Sequence, residues 1–454
     1  MAEQQKKLRI VMYPWLAYGH MIPYMHLANH FAKSGHKITY IVPPKAKLRL
    51  QSLILYPSLI TFRIITVPHV SPLPLGTENV TEVPELFQHT HLATAFDRTR
   101  PEFESIVTAL RPDVVFYDLA YWVPLVAEQL EIKFKSVCYN VVSATCMNMI
   151  KYHSSSASAT DQSAQLDLSV ESSPSRFKER EIIDTLFGET LTFLERVQAI
   201  LTYCDVISFR SCREVEGEDC DALSREYNKP VLLSGPMIPE LDDQTELDPK
   251  WADWLGMFDE GSVVFCAFGS QFSLDKAQFQ ELLLGFEMTK LPFFLAVLPP
   301  KGCATVEEAF PEGFEERVGE RGVVTGGWVQ QQQILSHRSV GCFVNHCGFG
   351  TMWESLMSKN QIVLIPQLGD QVVNAKILAE KLKVGVEVER GDDGWVSKEC
   401  LCKAILCVMD ENDDVGSLVK KNHQIWSQIL RAPGFMDDYI HKFIKDIEAL
   451  ADSQ

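Results

Sequence analysis

The sequence predicts an α/β protein of two doubly wound domains, each a parallel sheet with helices on both faces. Three observations carry this. The 454-residue chain is too long for one core, so two domains of roughly 200 residues are the starting point. Short β-rich apolar runs alternate with amphipathic helical ones, the pattern of parallel sheets. The alternation stops once, in "GPMIPELDDQTELDP" from Gly235, and then restarts.

Leu8–Pro14 reads as the first strand and Met21–Ser34 as the first helix. Lys37–Val42, Thr61–Val67, Asp113–Tyr117, Phe134–Tyr139 and Asp205–Phe209 are further strands, separated by amphipathic segments such as Val123–Leu130. The stretch 154–175 is Ser-rich and low in complexity, equally suited to a tolerated surface insertion and to a lid. The Pro- and Asp-rich stretch lacks periodicity and reads as a linker. After it come Val263–Phe268, Phe293–Leu298, Gly322–Thr325, Val340–Val344 and Ile362–Ile365, and lastly a helical Tyr439–Leu450. The boundaries are a first domain over 1–237, a linker over 238–250, a second domain over 251–435, and a C-terminal helix over 436–454 packing back on the first domain.

Composition excludes several classes. The net charge of −18 disfavours nucleic acid and anionic membranes as partners. Twelve cysteines without C-x-x-C or zinc spacing suggest reduced thiols in a cytosol. "MAEQQKK" leads straight into a strand with no signal region, and Pro14, Gly19, His20 and Pro23 interrupt the first apolar run, so no membrane span is expected. A cytoplasmic monomer is the expectation. Asn79-Val80-Thr81 matches a glycosylation sequon by chance.

Ligands of doubly wound domains bind beyond the C-terminal ends of strands. In the second domain that rule selects "FGSQ", "GGWVQQQQIL", "HCGFGT" and "PQLGDQ". Gly269, Gly348 and Gly350 permit close backbone approach. Ser270 and Thr351 offer hydroxyls, His346 offers a ring nitrogen, and a helix beginning near Thr351 adds its positive dipole end. Together these suit a pyrophosphate without a metal. Trp328 is a platform for a base, Glu354 can accept from both ribose hydroxyls, and Asp370 and Gln371 suit a polyol: a nucleotide plus a sugar. In the first domain, His20 follows the first strand, after Gly19 as the turn, and Asp118 follows Asp113–Tyr117. A hydroxyl attacking an anomeric carbon needs a base near neutral pH, and a histidine oriented by an aspartate meets that need. Taken singly, each residue has a structural reading as cap, core or solvated helix face; their joint spacing carries the argument. Asp219-Cys220-Asp221 sits in a polar helical stretch and reads as surface, and His26, His30 and His36 read as helix-surface residues rather than a metal site.

The 44 positions from Trp328 to Gln371, with "WVQQQQIL", "HCGFGTMWES" and "PQLGDQ", closely resemble the donor signature of plant UDP-sugar-dependent glycosyltransferases. "WLAYGHMIP", "DVVFYD" and "FGS" extend the resemblance over nearly the whole chain. It implies a GT-B fold, with two Rossmann-like domains facing a central cleft. It also implies inverting transfer from a UDP-sugar to a small-molecule acceptor, with His20 as base and Asp118 as its partner. Trp328 would stack on uracil, the Val329 backbone would bond its edge, and Gln331 and Glu354 would hold the ribose. Ser270, His346, Gly348, Gly350 and Thr351 would surround the phosphates, and Asp370 and Gln371 would face the donor sugar. No cofactor or metal is implied. Most relatives carry Trp, Asn and Ser where this chain has Phe349, Gly350 and Thr351. Gly350 loses a side-chain amide on the phosphate, worth on the order of 1–3 kcal/mol if nothing replaces it. "YPWLAYGHMIPYMHLA" with "HCGFG" looks most like the branch that adds a second sugar, such as rhamnose, xylose or glucose, to a flavonoid, anthocyanin or other phenolic glycoside. Its acceptor pocket would draw on Tyr13, Trp15, Tyr18, Phe87, Tyr121, Trp122, Tyr139 and Asn140. Direct action on a phenolic or terpenoid aglycone, a nicotinamide oxidoreductase and a non-catalytic partner of the same fold stay open. Gly348-Phe349-Gly350 argues against the oxidoreductase, because Trp353 stands where a third glycine is needed.

Overall fold

The computed structural model describes residues 6–83, 86–152, 186–238, 246–269, 273–367 and 369–453. The Ser-rich stretch 154–175, Ser270 and most of the 238–250 stretch lie outside the described residues. The chain divides into two compact units. Of the described residues, the first unit holds those up to Met237 and those from Met436 on, and the second holds those from Ile238 to Phe435.

The first unit is a seven-stranded sheet in the order β3-β2-β1-β4-β5-β6-β7. Its strands are β1 (Arg9–Tyr13), β2 (Lys37–Val42), β3 (Ile60–Ile64), β4 (Val114–Tyr117), β5 (Lys135–Asn140), β6 (Val206–Phe209) and β7 (Val231–Leu233). All six pairings are parallel. The chain winds outward from β1 to β3, then returns to lay β4 on the other side of β1. β1 and β4 therefore flank the reversal of strand order, where open α/β sheets leave a crevice. The register puts Tyr13 opposite Tyr117, so the residues after both strands leave the sheet side by side. Every residue of β4 is buried, as expected of a strand covered on both faces. The C-terminal helix Phe435–Asp452 lends Ile440, Phe443, Ile444 and Ile447 to this core.

The second unit repeats the plan with six strands in the order β10-β9-β8-β11-β12-β13. They are β8 (Val263–Ala267), β9 (Phe293–Ala296), β10 (Gly322–Thr325), β11 (Val340–Asn345), β12 (Gln361–Leu364) and β13 (Gly385–Glu387). Its reversal falls between β8 and β11, with Ala267 opposite Asn345. Alternate residues of β8 enter different cores: Val264 and Cys266 one, Val263, Phe265 and Ala267 the other. That is the period-two signature of a sheet packed on both faces.

Several expectations shift. β7 and β13 escape the sequence pattern because each is only three residues long and lies at a sheet edge. The first helix begins at Tyr18, so Gly19 lies inside it, and the reversal after β1 is made by Pro14–Ala17, with Ala17 extended at φ −137°. Asn79 is 3% exposed and its side chain accepts from Thr81 N–H, so it belongs to the fold and not to a glycosylation site. None of the twelve cysteines is joined in a disulfide. Among the described residues no helix is long and apolar enough to cross a membrane.

His36 is likewise no helix-surface residue. It follows the first helix, is fully buried, and its Nδ1 accepts from Leu8 N–H at 3.1 Å. Nε2, which then carries the proton, lies 3.1 Å from Glu448 of the C-terminal helix. Burial, with Lys7 nearby, pushes the His36 imidazole from its ordinary 6.5 down to about 4. A histidine with a depressed value takes up its proton more readily when unfolded, so its contribution is present above pH ~6.5 and lost as pH falls towards ~4. Replacing His36 by Asn keeps an acceptor near Nδ1 and removes the titrating ring. The melting temperature of His36→Asn should therefore fall less steeply between pH ~6.5 and ~4 than that of the wild type, in paired thermal scans. Parallel slopes would show that His36 does not titrate there.

Candidate active site

At the reversal of the first sheet, the turn after β1 and the residue after β4 converge. Asp118, 4% exposed, accepts from Trp15 N–H at 2.7 Å and Leu119 N–H at 2.5 Å on Oδ1. Its Oδ2 lies 2.6 Å from Nδ1 of His20, in the first turn of the Tyr18–Lys33 helix. The backbone bonds fix one oxygen of the carboxylate and leave the other to the ring. The ring then donates from Nδ1 and presents Nε2 as a lone pair, the arrangement of a general base held by a carboxylate. The His20 side chain remains 22% exposed, so Nε2 can be reached.

The acceptor-side expectations divide. Tyr18 and Tyr121 are half-buried and Phe87 is 65% exposed, so a ligand can reach them. Tyr13 is fully buried, with its hydroxyl on Thr99 and its ring stacked on Phe96. Trp122 is 1% exposed and donates Nε1–H to Asp97. Asn140 donates Nδ2–H to the Ser208 carbonyl, and Tyr139 spends its hydroxyl on Ser234. These four are core residues with internal partners rather than pocket lining. Trp15 is also buried, edge-on to Phe96.

In the second unit the reversal carries the loop 346–348 and the helix Phe349–Met357, two residues earlier than the sequence suggests. Gly348 is its N-cap and has no side chain to offer. The amides of Phe349, Gly350 and Thr351 precede the first intrahelical bond, Met352 N–H to the Gly348 carbonyl at 2.8 Å. They stand where a helix presents N–H groups to an anion. The turn depends on Cys347 at φ +62°, a left-handed conformation that costs a residue with a side chain about 1–2 kcal/mol. Two buried asparagines hold it: Asn345 Oδ1 accepts from Cys347 N–H and Asn374 Nδ2 donates to its carbonyl, both at 2.9 Å. Sequence reasoning missed this pair; the only signal was an amide side chain directly before "HCG".

His346 lies between two glycines that give it room. A Cβ on Gly269 would come within 3.1 Å of the ring, and one on Gly348 within 2.7 Å of Nε2. Burial pushes its imidazole down to about 4, with the Ala267 carbonyl pulling the other way. In the ligand-free chain the ring is therefore uncharged at neutral pH. Trp328 is 80% exposed, an open platform, and Val329 beside it is buried. Gln331 opens the helix Gln331–Ser336 and donates Nε2–H to Glu354 Oε2 at 2.6 Å, which joins that helix to the one after β11. Phe349 is 4% exposed and edge-on to Trp353. Asp370 opens the helix Asp370–Lys376 and accepts from Asn374 at 3.2 Å. Gln371 Oε1 accepts from Gln367 N–H at 2.9 Å, which turns its amide nitrogen to the other side as a donor. Asp219 accepts from Thr145 and Asn148, and Asp221 pairs with Arg213, so neither points to a metal.

Residues 316–428 match the family described as UDP-glucoronosyl and UDP-glucosyl transferase. The chain is 56% identical to UDP-glucosyl transferase 79T1 of Saponaria officinalis, over 98% of this chain and 99% of that one. It is 47% identical to the anthocyanidin 3-O-glucoside 2'''-O-xylosyltransferase of Arabidopsis thaliana, over 100% of this chain and 99% of that one. Among solved structures it is similar in fold to Arabidopsis thaliana UGT89C1 complexed with UDP-L-rhamnose, with a TM-score of 0.76 at 22% identity over 97% of this chain and 99% of that one. Glycyrrhiza uralensis UGT73P12 gives a TM-score of 0.80 at 22% identity, over 99% and 97%.

Removing the Glu354 carboxylate should weaken UDP itself, with or without its sugar, by roughly 1–3 kcal/mol, because a charged acceptor is lost and Gln331 is released. Calorimetry on Glu354→Ala reads this directly. An unchanged UDP affinity would show that this carboxylate does not touch the nucleotide.

Proposed function

The chain belongs to the plant UDP-dependent glycosyltransferases, and we propose that it adds a second sugar, with inversion, to a sugar hydroxyl of a phenolic glycoside. The His20–Asp118 pair carries the chemical part of this reading. His20 Nε2 takes the proton of the acceptor hydroxyl as its oxygen bonds the anomeric carbon. The bond from that carbon to the phosphate oxygen breaks on the opposite face, and UDP leaves with the electron pair. Asp118, fixed by two amides, stabilises the imidazolium that forms.

On the donor side, Trp328 stacks on the uracil, the Val329 backbone meets its edge, and Gln331 with Glu354 holds the ribose. The amides of Phe349, Gly350 and Thr351 receive the growing charge on the diphosphate, with the Thr351 hydroxyl and His346 beside them, and the reading needs no metal. Gly350 contributes its backbone N–H there and no side-chain donor. Asp370 as acceptor and Gln371 as donor face the sugar. A cytosolic monomer belongs to the same reading.

The glycoside acceptor rests on the 47% identity over the full chain to a protein named for xylosyl transfer to an anthocyanidin glucoside. It also has a physical rationale. If a sugar hydroxyl attacks, the inner pocket must bond the rest of that sugar. An acceptor without it leaves polar groups unpaired, and sites of this kind reject such analogues by up to roughly 10⁴-fold. With the other candidates buried, Tyr18, Phe87 and Tyr121 are left to meet the acceptor.

The test measures UDP release from a panel of UDP-glucose, UDP-xylose, UDP-rhamnose and UDP-galactose, against a flavonoid 3-O-glucoside and its aglycone. A higher kcat/KM for the glucoside is the expected result with at least one donor. An aglycone that reacts as well would overturn the sugar-on-sugar reading and favour direct transfer to an aglycone. No release with any pair would favour the non-catalytic alternative.

A further inference from the structure

Asp118 is fixed by two backbone donors, and both lead back to one buried ion pair. Arg196, in the helix Phe193–Tyr203, has no exposed surface. Its guanidinium makes three bonds in three directions. Nη2 donates to Asp97 Oδ2 at 2.5 Å, Nε to the Phe187 carbonyl at 3.1 Å, and Nη1 to the Leu119 carbonyl at 2.8 Å. Leu119 is therefore gripped at both ends. Its N–H is on the Asp118 carboxylate, and its C=O is on Arg196, with Tyr121 N–H sharing that oxygen at 3.0 Å. The second donor to Asp118 is Trp15 N–H. The Trp15 ring packs against Phe187, whose carbonyl Arg196 holds.

The pair is closely enclosed. Asp97 also accepts from Trp122 Nε1 and from Glu189 N–H, each at 3.3 Å. Gly188 passes over it at φ +107°, and a Cβ there would lie 2.1 Å from Arg196 Nη2 and 2.3 Å from Asp97 Oδ2. A buried ion pair contributes little net stability unless its geometry is satisfied throughout. Here the fork spans a side chain and two carbonyls, which a lysine ammonium cannot do in the same plane.

We propose that Arg196 is a positioning residue for the His20–Asp118 pair: through the Leu119 carbonyl and the Phe187 turn it sets the two amides that aim the Asp118 carboxylate at His20. The proposal rests on the reading of His20 as base. It assigns a function to a residue 78 positions from Asp118 that touches neither the reacting atoms nor, in this reading, any ligand.

The test is a double-mutant cycle on the full-length enzyme with Arg196→Lys and Asp118→Asn, measuring kcat and both KM values. Misaiming a base by about 1 Å costs up to roughly 10²-fold, so Arg196→Lys should lower kcat by about 10–100-fold while the KM for the UDP-sugar stays within about threefold. In the Asp118→Asn background the same change should cost less than about threefold, because the carboxylate through which it acts is gone. Losses that multiply in the double variant would make Arg196 a general structural residue, and an unchanged kcat in Arg196→Lys would overturn the proposal outright. If Arg196→Lys does not fold, Asp97→Asn takes its place in the cycle. That change keeps the shape of the partner but removes its charge and one of its two acceptor atoms, which serve Trp122 and Glu189 as well as Arg196, and the same two outcomes decide. His20→Ala runs alongside: wild-type turnover there would remove the base reading itself, independently of what Arg196 does.

Discussion

Burying a carboxylate is costly unless donors surround it. Asp118 meets that constraint at the one place in its sheet where strand order reverses, and much of the first unit can be understood as meeting it. The β1–β4 register brings Trp15 N–H alongside, Asp118 reaches the amide of its own neighbour Leu119, and the first turn of the Tyr18–Lys33 helix swings His20 onto the remaining oxygen. The surrounding aromatics, Trp15, Phe96, Tyr13 and Trp122, pack against one another around that point. A ring bonded this way has its proton on the carboxylate side and its lone pair on the other. That polarity is what a base for an acceptor hydroxyl requires.

The second unit solves a different problem at the corresponding place. In the proposed reading its ligand is an anion, and the loop after β11 supplies no charged side chain to neutralise one. His346 is kept neutral by burial, and the helix Phe349–Met357 starts on a glycine that leaves its first amides uncapped. Stabilisation then comes from oriented N–H groups, which need no reorganisation as charge develops. Holding them requires the unfavourable backbone of Cys347, and the Asn345 and Asn374 amides offset that cost with two hydrogen bonds.

The fold was legible because parallel strands buried on both faces read as continuous apolar runs, and β1, β2, β4 and β8 are of that kind. The short edge strands β7 and β13 carry no such run. Helix starts were misplaced for a related reason. Ala17 and Gly348 stand at the N-caps, and neither is a Ser, Thr, Asp or Asn that would mark the position. Residue types at strand ends pointed to the two candidate sites, since chemistry there depends on which side chain follows a strand. Burial did not follow from type. Tyr13, Trp122 and Asn140 are plausible pocket residues by chemistry, but Thr99, Asp97 and Ser208 engage them from distant parts of the chain. Arg196 and Asp97 were invisible for the same reason: they are 99 positions apart, and no local pattern links them.

The central claim is that Asp118 fixes His20 as a base with its lone pair on Nε2. The most direct measurement is the ¹⁵N spectrum of histidine-labelled protein at a pH where the ring is neutral, with His20 assigned by its loss in His20→Ala. The account predicts the Nδ1–H tautomer, with an unprotonated Nε2 that shifts towards the common neutral mixture in Asp118→Asn. An Nε2–H tautomer in the wild type would contradict it, because that ring could not accept the acceptor's proton at the exposed nitrogen.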